Sequence, residues 1–291
     1  MMFSVTRGGG LGVKIDIQKA YDIVDWDFIF HVLRKFGFSK RWILWVHQML
    51  VFAKISVLLN GGPIGYFGVE RGLRQGGAIS LMLFILAEEV LCRGLNKLVE
   101  DKKLKPIKGP HGVITPAHSL FADDIFIFAN ASIRYVRHLN IFLNRYQEFS
   151  GQCINLVKSK LFVGSASPQR KRAIAEELGI PLCTFPTRYL GVEIFKGRVK
   201  KDVVMPIMDR VKDRLAEWKG KMLSLAGRVE LVRSVIISMP THSIAVYWWP
   251  SSLISTLERW MRNFIWSGEI DTMKKIVVNR DQCCKPREEG G

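Results

Sequence analysis

Apolar residues follow two rhythms along the chain. The stretch VKIDI (residues 13–17) reads as a short buried strand. From Asp25 the apolar positions Trp26, Ile29, Leu33 and Phe36 recur every three or four residues until Gly37, the spacing of a helix with one buried face. Trp42, Trp45, Val46 and Met49 mark a second helix, after which residues 55–59 and 66–69 flank Asn60-Gly61-Gly62, a turn signal for an antiparallel hairpin. Residues 71–80 form a glycine-rich loop feeding a long apolar helix over residues 81–98. Two short apolar strands, 119–122 and 125–128, are interrupted by Asp123-Asp124, which reads as a two-residue hairpin tip. Helical spacing returns at Ile133, Val136, Leu139, Leu143, Tyr146 and Phe149, closed by Gly151. Strands over 161–163 and 189–194, with a helix around 170–178, complete an α+β region. From Asp202 the pattern is wholly helical, over 203–218, 224–237 and 253–266, separated by Gly220, Pro240 and Pro250. A domain boundary is therefore placed near residue 198, and no internal repeat is visible.

Composition narrows the class. With 291 residues, 48% hydrophobic and 24% charged, the chain has the profile of a folded protein of one large or two small domains. The longest strongly apolar run, residues 79–87, stops at Glu88 and Glu89, short of the roughly 18 residues a membrane span needs, so no spanning helix and no membrane partner is expected. The first ten residues, MMFSVTRGGG, read as a flexible leader without a secretory signal, and five irregularly spaced cysteines do not make a disulfide framework; an intracellular setting, not a secreted one, is expected. Cys283-Cys284 lacks the spacing of a zinc site, and no GxSxG turn offers a hydrolase nucleophile. The net charge of +17 favours a polyanionic partner. It is shared unevenly: residues 1–130 hold 16 basic and 11 acidic side chains, residues 131–291 hold 27 and 15.

Three acids stand out against this background: Asp16 at the end of an apolar strand, and Asp123 with Asp124 between two others. Carboxylates bounded by such runs lie next to a core, where an ionised group is costly unless paired with a cation or metal. On the residues alone two readings stay open: a divalent-metal site, or a polar turn together with an unrelated Asp that caps the following helix.

KIDIQKAYD, RGLRQGG and FADD, in this order, resemble the palm of a reverse transcriptase. More narrowly, the chain is similar to polymerases of plant LINE-type retrotransposons that lack long terminal repeats, and the likeness runs on through SGQCINLVKSK, RYLGVEI and LSLAGRVELVRSVI over roughly residues 11–268. The resemblance implies a right-hand polymerase: an α+β palm, its antiparallel sheet packed with helices, followed by an all-helical thumb. It implies that Asp16 and Asp123 hold two magnesium ions, with manganese as an alternative, and that Asp124 supports them. One ion would activate a primer 3′-hydroxyl and the other would neutralise the triphosphate of a deoxynucleotide. Tyr21 would lie under the incoming sugar and exclude a 2′-hydroxyl. Gln75 and Gly76 would meet the nucleotide, and Arg71 and Arg74 its phosphates or those of the template. Lys158 would protonate the leaving pyrophosphate. Tyr189 and Gly191 would support the primer end. The thumb would grip an RNA template and DNA primer, with Lys200, Lys201, Lys219 and Lys221 among the 11 basic and 5 acidic residues between positions 196 and 233.

Two departures from the family pattern are visible. Where the family continues its RQG block with Asp-Pro and, two residues later, a further Pro, this chain has Gly77, Ala78 and Leu81, which leaves the loop less restrained. Only 15 residues precede Asp16, too few for the family's upstream fingers. The expected organisation is a leader over 1–10, a palm with partial fingers over 11–198, a thumb over 199–268 and a disordered tail over 269–291. The alternatives are a nucleic-acid-binding remnant that no longer turns over, and a maturase-like RNA-binding protein.

Overall fold

The computed structural model describes residues 9–107, 115–195, 197, 199–218 and 220–273; the expectations for most of the leader (1–8), most of the tail (274–291) and Lys219 fall outside the described residues. The chain divides into two compact units, residues 1–183 and 184–291.

The first unit is built on β1 (Gly10–Gln18), which pairs antiparallel along one edge with β5 (Asp124–Asn130) and along the other with β7 (Lys160–Val163) and β6 (Cys153–Ile154). β4 (His118–Phe121) extends the sheet beyond β5. Alternation sorts the strands' side chains by face. Leu11, Val13, Ile15 and Ile17 of β1, with Ile125, Ile127 and Ala129 of β5 and Leu161 and Val163 of β7, join one buried cluster. Helices α2 (Trp26–Lys35), α3 (Lys40–Val51), α4 (Ser80–Glu100), α5 (Ile133–Ser150) and α6 (Pro168–Leu178) bury their apolar stripes in the same cluster. Each such side chain gains roughly 1.5–3 kcal/mol by burial. A one-residue slip of β1 would drive Lys14 and Asp16 into that core, so the register is strongly specified. Helix starts follow the sequence signals: the side chains of Asp25, Ser39 and Ser167 accept from the backbone N–H three residues on.

β2 (Lys54–Leu59) and β3 (Gly62–Gly68) form the expected hairpin, with Asn60 and Gly61 both at positive φ in a two-residue turn. Its register is broken between Ile55 and Val57, and nearly every residue of both strands is exposed. Between β4 and β5 the turn consists of Ala122, at φ 53°, and Asp123, with Phe121 and Asp124 as the closing pair. The tip thus sits one residue earlier than the apolar pattern suggests. Asp124 is the first residue of β5, because Lys14 across the ladder supplies it with a counter-charge.

The second unit opens with β8 (Thr187–Tyr189) and β9 (Val192–Ile194). The stretch 189–194, expected as one strand, is instead a hairpin turning at Leu190 and Gly191, both at positive φ. The Tyr247 hydroxyl donates to the Glu193 carbonyl and its ring meets Phe195, which ties the hairpin to the helices that follow. The division accordingly falls at 183/184, where the apolar pattern placed it near 198. Helix α7 (Lys201–Glu217) contributes Val204, Met208, Val211 and Leu215 to a core completed by α10 (Ser251–Ser267) through Leu253, Leu257 and Phe264. Pro240 does not end a helix. α8 (Leu225–Leu231) passes through a π-turn, Val232–Ile236, into α9 (Ser238–Val246), and the widened turn absorbs the missing proline N–H. The fused stretch Leu225–Val246, 22 residues in which an 18-residue window has mean hydropathy 1.2, is long and apolar enough to cross a membrane by length and composition alone. Length and composition do not overturn the expectation of no spanning helix, since helices that cross no membrane share them. Val232 and Ile236 of this stretch lie in the unit's own core.

Gly94 lets α4 and α5 approach closely: a Cβ there would stand 2.3 Å from the Phe142 ring. Gly94→Ala is predicted to destabilise the first unit by about 1–3 kcal/mol, against the roughly 1 kcal/mol gain usual for this change within a helix. Phe142→Leu should recover part of the loss in a denaturant-melt double-mutant cycle.

Candidate active site

Antiparallel pairing brings distant carboxylates together. Asp16 and Asp124 are directly opposed Cα partners at the end of the β1–β5 ladder, so their side chains leave the same face, opposite the helix-packed core. Lys14, two residues back, shares that face, and its Nζ lies 2.9 Å from Asp124 Oδ1 in a partly buried ion pair. Asp123 is exposed in the adjoining turn. Among the described residues, Asp16 and Asp123 carry no ion pair within 4.0 Å, and no three His, Cys, Asp or Glu side chains are preassembled around a metal position.

The backbone at Asp16 is held from the strand's other edge. Its N–H donates to Ser159 Oγ (3.1 Å) and its carbonyl accepts from Asn155 N–H (2.8 Å). Asn155 organises that segment further: its side chain accepts from the Lys158 N–H and its carbonyl from the Ser159 N–H. Lys158 itself is exposed and follows Asn155 by three residues. Ser159, fully buried, is a positioning residue that the sequence reading missed. A serine between two lysines carries no periodic signal, and only the fold shows that its hydroxyl reaches Asp16.

Tyr21 lies in α1 (Ala20–Ile23), the turn after β1, with its ring stacked on Phe84 of α4 at 4.3 Å and 15°. Burial pushes its hydroxyl pKa up, and the negative charges of Asp123 and Glu88 add to the shift. The loop RGLRQGG docks against this turn. Leu73 N–H donates to the Tyr21 carbonyl (2.6 Å), Gly72 N–H to that of Val24 (2.8 Å), and Trp26 Nε1 to that of Gly72 (2.7 Å). Gly72 has φ 82°, and a Cβ would stand 2.3 Å from the Asp22 carbonyl oxygen, so no other residue fits. With Gly72 and Leu73 buried, Arg71, Arg74, Gln75 and Gly76 are left exposed. Gly76 has φ 77° and open space at its Cβ position, so here the backbone conformation is what favours glycine. At Gly77 a Cβ would meet Ser80 Oγ at 2.5 Å; the loop closes more tightly at this position than the family's Asp would allow without a shift of Ser80. Ala78 and Leu81 are exposed.

The remaining expected site residues belong to the second unit. Tyr189 is half-buried and Gly191 forms the exposed turn of the β8–β9 hairpin. Lys200 and Lys201 begin α7 and are exposed, while Lys221 is ion-paired with Glu269.

A buried acid lies close enough to the site to feel the charge of Asp123. Glu88 of α4, one turn after Phe84, is 1% exposed. Its Oε1 accepts from Gln152 Nε2 (2.8 Å), Gln152 Oε1 accepts from the Tyr146 hydroxyl (2.7 Å), and Glu88 Oε2 has no hydrogen-bond partner among the described residues. Burial raises its pKa from 4.5 to about 7; the hydrogen bond from Gln152 opposes the shift and the Asp123 charge adds to it. Between these values the folded chain binds a proton that the unfolded chain has lost. Stability therefore falls as pH rises from about 4.5 to about 7 and levels off above, by about 3 kcal/mol in all. Glu88→Gln should abolish this decline and raise stability at pH 8, read from urea melts across the pH range; parallel curves for the two proteins would refute it.

The family model for reverse transcriptase (RNA-dependent DNA polymerase) matches residues 4–194. The 149 kDa protein of transposon TX1 from Xenopus laevis is 26% identical over 96% of this chain and 21% of its own length. The Pol polyprotein of the type-2 retrotransposable element R2DM from Drosophila melanogaster is 25% identical over 80% of this chain and 22% of its own. The chain thus spans about a fifth of the length of these two relatives. Among solved structures, telomerase from Candida tropicalis in complex with a fragment of telomeric RNA aligns with 90% of this chain and 44% of its own, at 13% identity and a TM-score of 0.48. With the family model covering about two thirds of its residues, the RGLRQGG and FADD blocks included, the chain belongs to the reverse transcriptase family.

Proposed function

We propose that the chain is the palm and thumb of a LINE-type retrotransposon reverse transcriptase, acting inside the cell to join deoxynucleotides to a primer 3′-hydroxyl on an RNA template. The observation that carries this reading is the direct opposition of Asp16 and Asp124, beside the Asp123 turn, on the face of the sheet away from its helix-packed core. The donors suit a hard divalent cation. They are carboxylate oxygens, and magnesium is commonly held by one or two carboxylates plus substrate phosphates and water, without a complete protein cage. Asp16 and Asp123 would hold such ions, which would supply charge neutralisation and an acidified hydroxyl. Asp124, already paired with Lys14, supports them by keeping the end of the ladder closed.

Other side chains position and select. Tyr21, fixed flat on Phe84, sets a wall against a sugar 2′-hydroxyl. Gln75 and Gly76, exposed on a loop pinned at Gly72, meet the nucleotide. Lys158, exposed three residues after Asn155, would give a proton to the departing pyrophosphate. The departures at Gly77, Ala78 and Leu81 favour a second reading, a protein that binds template and primer but turns over poorly.

Primer extension on an RNA template with magnesium separates the two. Asp16→Asn and Asp123→Asn should each cut extension at least about 100-fold with template–primer affinity retained; binding without extension by the unaltered protein would establish the second reading. Lys200 and Lys201 at the start of α7 are assigned to phosphate contacts of the duplex. Replacing both by Gln should lower the slope of log affinity against log salt by about 2, and an unchanged slope would remove them from the interface.

A further inference from the structure

Between the second half of α2 and the first two turns of α3 lies a cavity of about 420 Å³. Its floor is Phe30 and Ile43, both buried, and its rim is Arg34, Lys40, Leu44 and His47, all exposed. The His47 ring leans on Phe30, 5.3 Å away at 52°. Among the described residues no ion pair engages Arg34, Lys40 or His47, and no carboxylate lines the cavity. The sequence shows why: residues 28–69 contain five Lys and Arg and not one Asp or Glu, in a chain that holds 26 acids. The adjoining stripe of α3 continues the pattern, with the Arg41 guanidinium 5.1 Å from the centre of a Trp45 ring that is 50% exposed. On α4, by contrast, exposed cations are paired, Arg93 with Glu89 and Lys97 with Glu100 and Asp101. A solubilising helix face mixes signs in that way, whereas a concave face of one sign with accessible rings attracts a polyanion that also has flat apolar surfaces to bury.

We propose that this cavity is an accessory site for single-stranded RNA, with a base against the His47 ring and Leu44 and phosphates on Arg34 and Lys40. Its lining shares no residue with the carboxylate pair or the RGLRQGG loop. Lys40 and His47 stand two turns apart on α3, about 10 Å along its axis, so the donors are strung along an edge and suit successive phosphates of a strand better than one free phosphate group. An unstacked base can lay its face on the imidazole, while a base inside a duplex has no free face to offer. The choice of RNA among polyanions rests on the polymerase reading, in which RNA beyond the stretch being copied is always at hand. A strand held here stays with the protein whether or not a primer is paired in the palm.

The test is fluorescence anisotropy with a labelled hexamer of uridine ribonucleotides, with and without a saturating blunt RNA–DNA duplex. The hexamer should still bind when duplex is present. Replacing Arg34 and Lys40 together by Gln should weaken that binding about tenfold at about 0.15 M salt and lower its salt slope by about 1.4, with duplex affinity unchanged. His47→Ala should weaken it about tenfold, and His47→Tyr, which restores a flat ring, should recover it. All three side chains are exposed, so thermal melts should match across the series. Complete displacement of the hexamer by duplex, or an unaltered affinity and slope in the double variant, overturns the proposal. So does a double variant that changes oligomeric state in light scattering while binding the hexamer normally, which would make the face a protein interface. Failure of the polymerase reading looks different: no primer is extended, while the hexamer still binds and still responds to the Arg34, Lys40 and His47 substitutions.

Discussion

One antiparallel ladder, from Gly10 opposite Asn130 to Asp16 opposite Asp124, governs the first unit. Its two faces have opposite demands. The inward positions of β1 and β5 are large apolar side chains whose burial fixes the register, while the outward positions at the ladder's end are Lys14, Asp16 and Asp124. Hydrophobic burial thus fixes the relative position of carboxylates more than a hundred residues apart in sequence, and like charges opposed across a ladder are tolerated because Lys14 offsets one of them. Neither acid needs to contribute to stability for the arrangement to persist.

Around this ladder, short backbone contacts from both sides immobilise the neighbourhood of Asp16. Ser159 and Asn155 fasten its own peptide groups, and the loop containing Gly72 fastens the turn that follows. These contacts are local, yet each joins segments far apart in the chain, so the site is assembled only in the folded unit.

Much of the first unit was legible beforehand because its elements obey clean periodicities. Helices α2 to α6 appear where the three-to-four spacing places them, and the Asn-Gly turn of the β2–β3 hairpin is announced by its residues. What escaped was decided across the chain. Ala122 takes a left-handed turn position without a turn residue's signature, because pairing of Asp124 beside Lys14 extends β5 by one residue. Leu190 does the same in the β8–β9 hairpin. Pro240, which ought to end a helix, is accommodated by the π-turn before it. Of the site, the three aspartates and the RGLRQGG loop stand out as motifs. The supporting Ser159, the steric demand at Gly72 and the buried Glu88 carry no pattern, since each depends on a neighbour distant in sequence.

The docking of Gly72 against Asp22, Val24 and Trp26 has a wider implication. It welds the loop that would inspect the base to the turn whose tyrosine would inspect the sugar, leaving neither free to drift alone. Fidelity of two kinds would then share a single hinge-less joint, and a lineage relaxing one form of discrimination would find the other loosened in the same step.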